Sequence, residues 1–99
     1  MKVYLLVSTG CWDGSFTDID VYGTEESVRK AFKSLVDETV NMYKDSYEED
    51  ELEITVNEQG LYCTVTLPEW GDTNNHEIYV IEKEVLWGYY GTTNYWTTN

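Results

Sequence analysis

Histidine and cysteine are the side chains best suited to nucleophilic or metal chemistry near neutral pH. This 99-residue chain has one histidine, His76, and two cysteines, Cys11 and Cys63. A nucleophile–base pair would have to use His76, which stands between Asn75 and Glu77 at the start of an apolar run. Cys63 falls on the inward side of an alternating segment, where a free cysteine serves as a small apolar residue. Cys11 lies between Gly10 and Trp12 with no basic neighbour to lower its pKa. Two cysteines and one histidine without a short-spaced pair lack the signature of a zinc site. The run Asp13 to Asp20 offers oxygen ligands but not EF-hand spacing, and Ile19 interrupts it as a strand residue would. Gly10 and Gly14 precede a strand and bring no lysine, so no phosphate-cradling loop is formed. A non-enzymatic protein is expected, with no catalytic residues, no cofactor and no metal.

Charge is the stronger signal. Nineteen Asp and Glu oppose six Lys and Arg, for a formal net charge of −13. Four of the six bases, Arg29, Lys30, Lys33 and Lys44, fall in one segment, and the rest of the chain is almost purely acidic. Such a field repels nucleic acid and anionic membranes and attracts basic protein surfaces over a Debye length of ~8 Å. Direct nucleic-acid binding and membrane association are therefore not expected. The acids concentrate in Asp45-Ser46-Tyr47-Glu48-Glu49-Asp50-Glu51-Leu52-Glu53, with Asp18 and Asp20 as a second group. Two carboxylates ~7 Å apart repel by roughly 0.6 kcal/mol in water before screening. Concentrated charge of this kind fits a cationic partner, and equally it fits a need for solubility.

One helix is expected to position these groups. Val28, Ala31, Phe32, Leu35, Val36, Val40 and Tyr43 follow a spacing of three and four, which places them in one stripe between Thr24 and about Tyr47. Thr24 follows Gly23 and suits the N-cap. Glu25 and Glu26 then lie at the positive end of the dipole, each four residues ahead of a base, Arg29 and Lys30.

Strands are expected on either side of the helix. Lys2 to Thr9 alternates Val3, Leu5 and Val7 against Tyr4, Leu6 and Ser8. Phe16 to Tyr22 sets Ile19 and Val21 against Asp18, Asp20 and Tyr22, and the glycine-bearing loop between the two segments makes them a hairpin. Glu51 to Asn57 turns Leu52, Ile54 and Val56 inward. A turn follows at Asn57-Glu58-Gln59-Gly60, with the glycine supplying positive φ. Leu61 to Leu67 returns with Leu61, Cys63, Val65 and Leu67 inward, and Pro68 stops it. A polar loop around Trp70 leads to a last strand from His76 to about Trp87.

The order ββαβββ describes an α+β domain over residues 1–87, with a single helix packed on one face of a mostly antiparallel sheet. The opposite face is expected to be acidic and aromatic, carrying Tyr4, Leu6, Asp18, Asp20, Tyr22, Glu51, Glu53, Thr55, Tyr62, Thr64 and Thr66. Same-face residues are ~6.6–6.8 Å apart along a strand and strands lie ~4.8 Å apart, so paired acidic strands would approach the charge density of a DNA strand. The tail, residues 88–99, is uncharged and holds Tyr89, Tyr90, Tyr95 and Trp96. It is expected to cover the sheet, to form a further hairpin about Gly91 to Asn94, or to dock on another chain. The alternative function is a homo-oligomeric interaction or structural module, a homodimer assembled through this tail and a strand edge. No apolar stretch is long enough to span a membrane, and no export leader precedes the first strand. A cytoplasmic protein with reduced thiols is expected.

In its short single domain, its acidic run Asp45 to Glu53 and its acids Asp18, Asp20, Glu51 and Glu53 beside tyrosines, the chain resembles small acidic counter-defence proteins of phages and mobile elements. These include anti-CRISPR proteins that act as DNA mimics. The opening hairpin and the helix start Tyr22-Gly23-Thr24-Glu25-Glu26 likewise look like those of many short phage-encoded proteins. The resemblance implies an inhibitor in the cytoplasm of a bacterial host cell that occupies the basic channel of a nucleic-acid-binding protein, such as a CRISPR effector nuclease. Asp45, Glu48, Glu49, Asp50, Glu51 and Glu53 would make the contact, with Asp18 and Asp20 second and Tyr62 as a packing residue.

Overall fold

Thr24 begins the helix as its sequence position requires. Its backbone is extended, with φ −134° and ψ 153°, and its Oγ1 accepts from the Ser27 amide at 3.1 Å. In the computed structural model, which describes residues 1–10, 15–70 and 75–85, this helix α1 runs over Glu25–Ser46. Arg29 pairs with Glu25 at 2.8 Å, and Val28, Phe32, Val36, Thr39 and Tyr43 are buried at helical spacing. The helix stops at Tyr47, whose amide still donates to the Tyr43 carbonyl at 2.9 Å.

Five strands form one antiparallel sheet: β1 (Lys2–Gly10), β2 (Phe16–Tyr22), β3 (Glu53–Asn57), β4 (Tyr62–Thr66) and β5 (His76–Glu84). The order across it is β2-β1-β5-β4-β3, so β5 is central and β2 and β3 are the edges. The chain is thus an α+β domain of the order ββαβββ, with one helix on one face. Helix α1 packs chiefly over β1 and β5 and next over β2. The main core joins Leu6, Val28, Phe32, Val36, Leu61, Cys63 and Ile78, and a second cluster of Tyr43, Val65 and Leu67 takes in Tyr47, Leu52 and Ile54.

Three local expectations change. Positive φ falls on Leu61 (φ 54°), not on Gly60. Gly60 serves the turn in a different way. Its amide donates to Asn57 Oδ1 at 2.8 Å, and a Cβ there would stand 2.9 Å from the Asn57 amide nitrogen. The third strand begins at Glu53, because Glu49–Glu51 winds into a short 3-10 turn. The last strand ends at Glu84, and Trp87, the tail 88–99, Cys11 and Asp13 lie outside the described residues.

The faces of the first hairpin are also the reverse of the alternation reading. Tyr4, Leu6 and Tyr22 pack towards the helix, and Asp20 and Asp18 share that side because they pair with Leu6 and Ser8. Val3, Leu5, Val7, Ile19 and Val21 fall on the other face. The cause is that β1 is apolar on both sides, so period-two alternation cannot choose its buried face, and a choice made one residue out moves every side chain across. The face opposite α1 is therefore not acidic on the β2-β1 half. It carries exposed Ile19, Val21 and Ile81, with Tyr62 further along.

Candidate functional site: an acidic helix exit beside an edge-strand groove

The one histidine is built into the core. Its strand position pairs it with Gly10 on one side and Val65 on the other. His76 Nε2 lies 2.8 Å from Ser8 Oγ, and Nδ1 lies 3.4 Å from the Tyr43 hydroxyl. A neutral ring carries one proton, so it donates to one of these oxygens and accepts from the other. Phe16 and Tyr43 close on the imidazole edge to face, at centroid distances of 5.2 and 5.8 Å. His76 is 5% exposed and Ser8 6%, and burial pushes the histidine pKa down from its ordinary value. The arrangement ties β1, α1 and β5 together. Ser8 and Tyr43 stand 68 and 33 positions from His76. No local pattern in the sequence announces them.

Cys63 is 1% exposed, and burial raises its thiol pKa, which leaves it an unreactive apolar side chain. Among the described residues no group of three or more His, Cys, Asp or Glu side chains could hold a metal ion. No helix among them is long and apolar enough to cross a membrane.

The acidic run folds around the helix exit. Tyr47 stacks on Tyr43 at 6.3 Å, and Leu52 packs into the second core cluster, so two apolar side chains pin the segment at either end. Between these pins Glu48, Glu49 and Asp50 are exposed, as are Asp45 before them and Glu53 after. Glu51 is half-buried because its carboxylate accepts from the Glu48 amide at 2.8 Å, a bond that closes the 3-10 turn. The ion pairs among the described residues involve Glu25, Glu82 and Glu84, and none draws on Asp45 to Glu53. The carboxylates also gather at the negative end of the helix dipole, where Lys44 is the one base of the last turn. Both the dipole and mutual repulsion oppose this placement.

The other candidate residues lie elsewhere. Asp18 and Asp20 are on β2, the edge opposite β3, four strand spacings or ~19 Å away across the sheet. They border a shallow hollow of about 210 Å³ with Leu6, Ser8, Ile19 and Leu35. The two acidic strands are therefore not neighbours and do not form a common grid of charge. Tyr62 is on the face opposite α1 and pairs with Asn57, at the far end of β3 from Glu53, ~13 Å along the strand.

A feature that local sequence patterns did not single out adjoins the acidic run. Between α1 and β3 lies a groove of about 670 Å³. Its floor is Val36, Val40, Leu52, Ile54 and Val56, and its rim is Asp37, Asn41, Lys44, Glu49 and Glu58. It exists because α1 is set over β1, β5 and β2, leaving the apolar side of the β3 edge uncovered. The fold thus presents a band of exposed carboxylates next to an apolar trough. Comparison with protein-family models, curated proteins and solved structures finds no match for this chain.

Proposed function

We propose that the chain is a non-enzymatic acidic binding protein that inhibits a DNA-binding protein by occupying its basic nucleic-acid channel, a CRISPR effector nuclease being one such target. The observation that carries this reading is the helix exit, where Asp45, Glu48, Glu49, Asp50 and Glu53 are exposed and none is ion-paired among the described residues. Carboxylates held against a helix dipole and against one another cost stability, and a cationic surface would reverse the sign of both effects. The contact comes from one end of the molecule, since Asp18 and Asp20 lie at the other edge of the sheet.

The test is capture of partners from a bacterial lysate at low and high salt, with wild-type protein and a Glu48→Gln, Glu49→Gln, Asp50→Asn, Glu53→Gln variant. A nucleic-acid-binding protein held at low salt, released at high salt, displaced by competing DNA and lost with the variant is the expected result. Retention of that partner by a folded variant overturns it.

A second reading, a homo-oligomeric module, has its own observation. Ile19 and Val21 are 56% and 63% exposed on the edge strand β2, and Ile81 is exposed two strands away on the same face. Apolar residues grouped on one face mark protein contacts. Sedimentation of the wild type beside Ile19→Lys separates the readings: a dimer lost in the variant favours assembly, and a monomer in both favours the inhibitor.

A further inference from the structure

The groove and the edge strand beside it add a second kind of recognition to the acidic end. Strand β3 is the last in the sheet, so the backbone groups on its outer side have no strand partner among the described residues. Its side chains alternate, with Ile54 and Val56 turned to the helix side and Glu53, Thr55 and Asn57 to the other. Val56 is 42% exposed although it belongs to the apolar set, because α1 packs chiefly over β1, β5 and β2. On the helix side the trough continues to Val36 and Val40, one helical turn apart.

We infer that β3 and this groove form a docking edge for an extended, cationic segment of a partner protein, which adds to the sheet as a sixth strand. An added strand takes its main-chain bonds from the free side of β3 and sends every second side chain to the helix side, ~6.6–6.8 Å apart. Those side chains meet Val36, Val40, Leu52 and Val56 and must be apolar. The alternate side chains turn to the other face, where they meet Glu53 beside Thr55 and Asn57, and the flanks pass the rim acids Asp37, Glu49 and Glu58, set against Lys44, so a basic residue is called for opposite Glu53 and in the flanks. A segment alternating valine or isoleucine with lysine or arginine meets both demands. Charge complementarity selects it over a second copy of this polyanionic chain. The inference rests on the reading of the protein as a binder of a cationic partner, and specifies what part of that partner is held.

The probe is a fluorescein-labelled peptide alternating arginine and valine, long enough to span β3, measured by anisotropy against the whole protein. Two comparisons isolate the groove. One is the same peptide with alternate backbone amides N-methylated, which keeps charge and side chains but blocks strand pairing. The other is Val56→Lys, a surface change compatible with the fold. Each is expected to weaken binding by about tenfold or more. Equal affinity for the methylated peptide, or unchanged affinity in Val56→Lys, overturns the docking edge. If the four-acid variant also loses its lysate partner in that case, the inhibitor reading stands while the groove falls. A dimer of the chain itself that Val56→Lys dissociates assigns the edge to a second copy and likewise overturns the proposal.

Discussion

Ser8 Oγ and His76 Nε2 lie 2.8 Å apart inside the core, joining the first strand of the sheet to its centre. The bond makes the histidine a structural fastener. Removing the hydroxyl in Ser8→Ala leaves a buried ring nitrogen without this partner, and a loss of about 1–3 kcal/mol is expected in urea unfolding. A change within a few tenths of the wild type would show that the ring is satisfied in some other way.

The same histidine gives the fold a pH dependence. Burial holds its pKa below the ordinary 6.5, so the unfolded chain takes up the proton first as the solution is acidified. The stability it contributes is complete above about pH 6.5 and is lost as pH falls through the lower folded-state pKa. Between pH 7.5 and 5.5 the thermal midpoint of the wild type should fall more than that of His76→Gln. Parallel curves for the two proteins would remove His76 as the cause.

Cys63 works in the opposite direction. Its raised pKa means that the unfolded chain loses the thiol proton first, so the contribution is complete below about pH 9.0 and is lost as pH rises through the folded-state value. In a Cys11→Ser background, Cys63 should react with a thiol reagent only at the rate at which the protein opens, and denaturant should speed the reaction by orders of magnitude. Fast labelling of the native protein would contradict its burial.

Gly10 pairs with Phe16 and His76 at once, and a Cβ on it would meet the Phe16 ring at 2.6 Å. Gly10→Ala must push that ring from its edge-to-face contact with His76, for a cost of about 1–3 kcal/mol. Thermal unfolding measures it. Gly23, where an added Cβ meets nothing within 4 Å, is the matched control.

The acidic helix exit predicts a trade between stability and binding. Asp45→Asn together with Glu48→Gln should raise the midpoint at low ionic strength, by about 1–3 °C for the pair, because both changes relieve charge at the negative end of α1. Added salt should shrink the difference. The same variant should bind the basic partner less well.

The helix was legible because its stripe, its cap and its first-turn acids all agree, from Thr24 through Tyr43. Strands β3 and β4 were legible, apart from the start of β3, since Ile54 and Val56 and then Cys63 and Val65 alternate against polar neighbours. The faces of β1 were not, because Val3, Leu5 and Val7 are as apolar as Leu6, and the deciding facts are its partners across the sheet, Asp20 and Val80 opposite Leu6. The acidic run was visible as composition. Its separation from Asp18 and Asp20 follows from strand order, which local pattern does not encode. The groove beside β3 was invisible for a related reason: it depends on where α1 lies across the sheet.

The position of β5 has a consequence for how the molecule comes together. The two hairpins, β1 with β2 and β3 with β4, are local in sequence, yet among the described residues their sheet pairing is joined only by His76–Glu84, the last of the described strands to leave the ribosome and the one at the centre. Lys2 finds its partner in Glu84, and the Val85 amide closes on the Met1 carbonyl, so the first strand waits for nearly the whole described chain before its inner edge is paired. Contacts this distant in sequence slow folding. Until His76–Glu84 is in place, the two hairpins share no backbone pairing among the described residues, and this one strand joins them into a sheet.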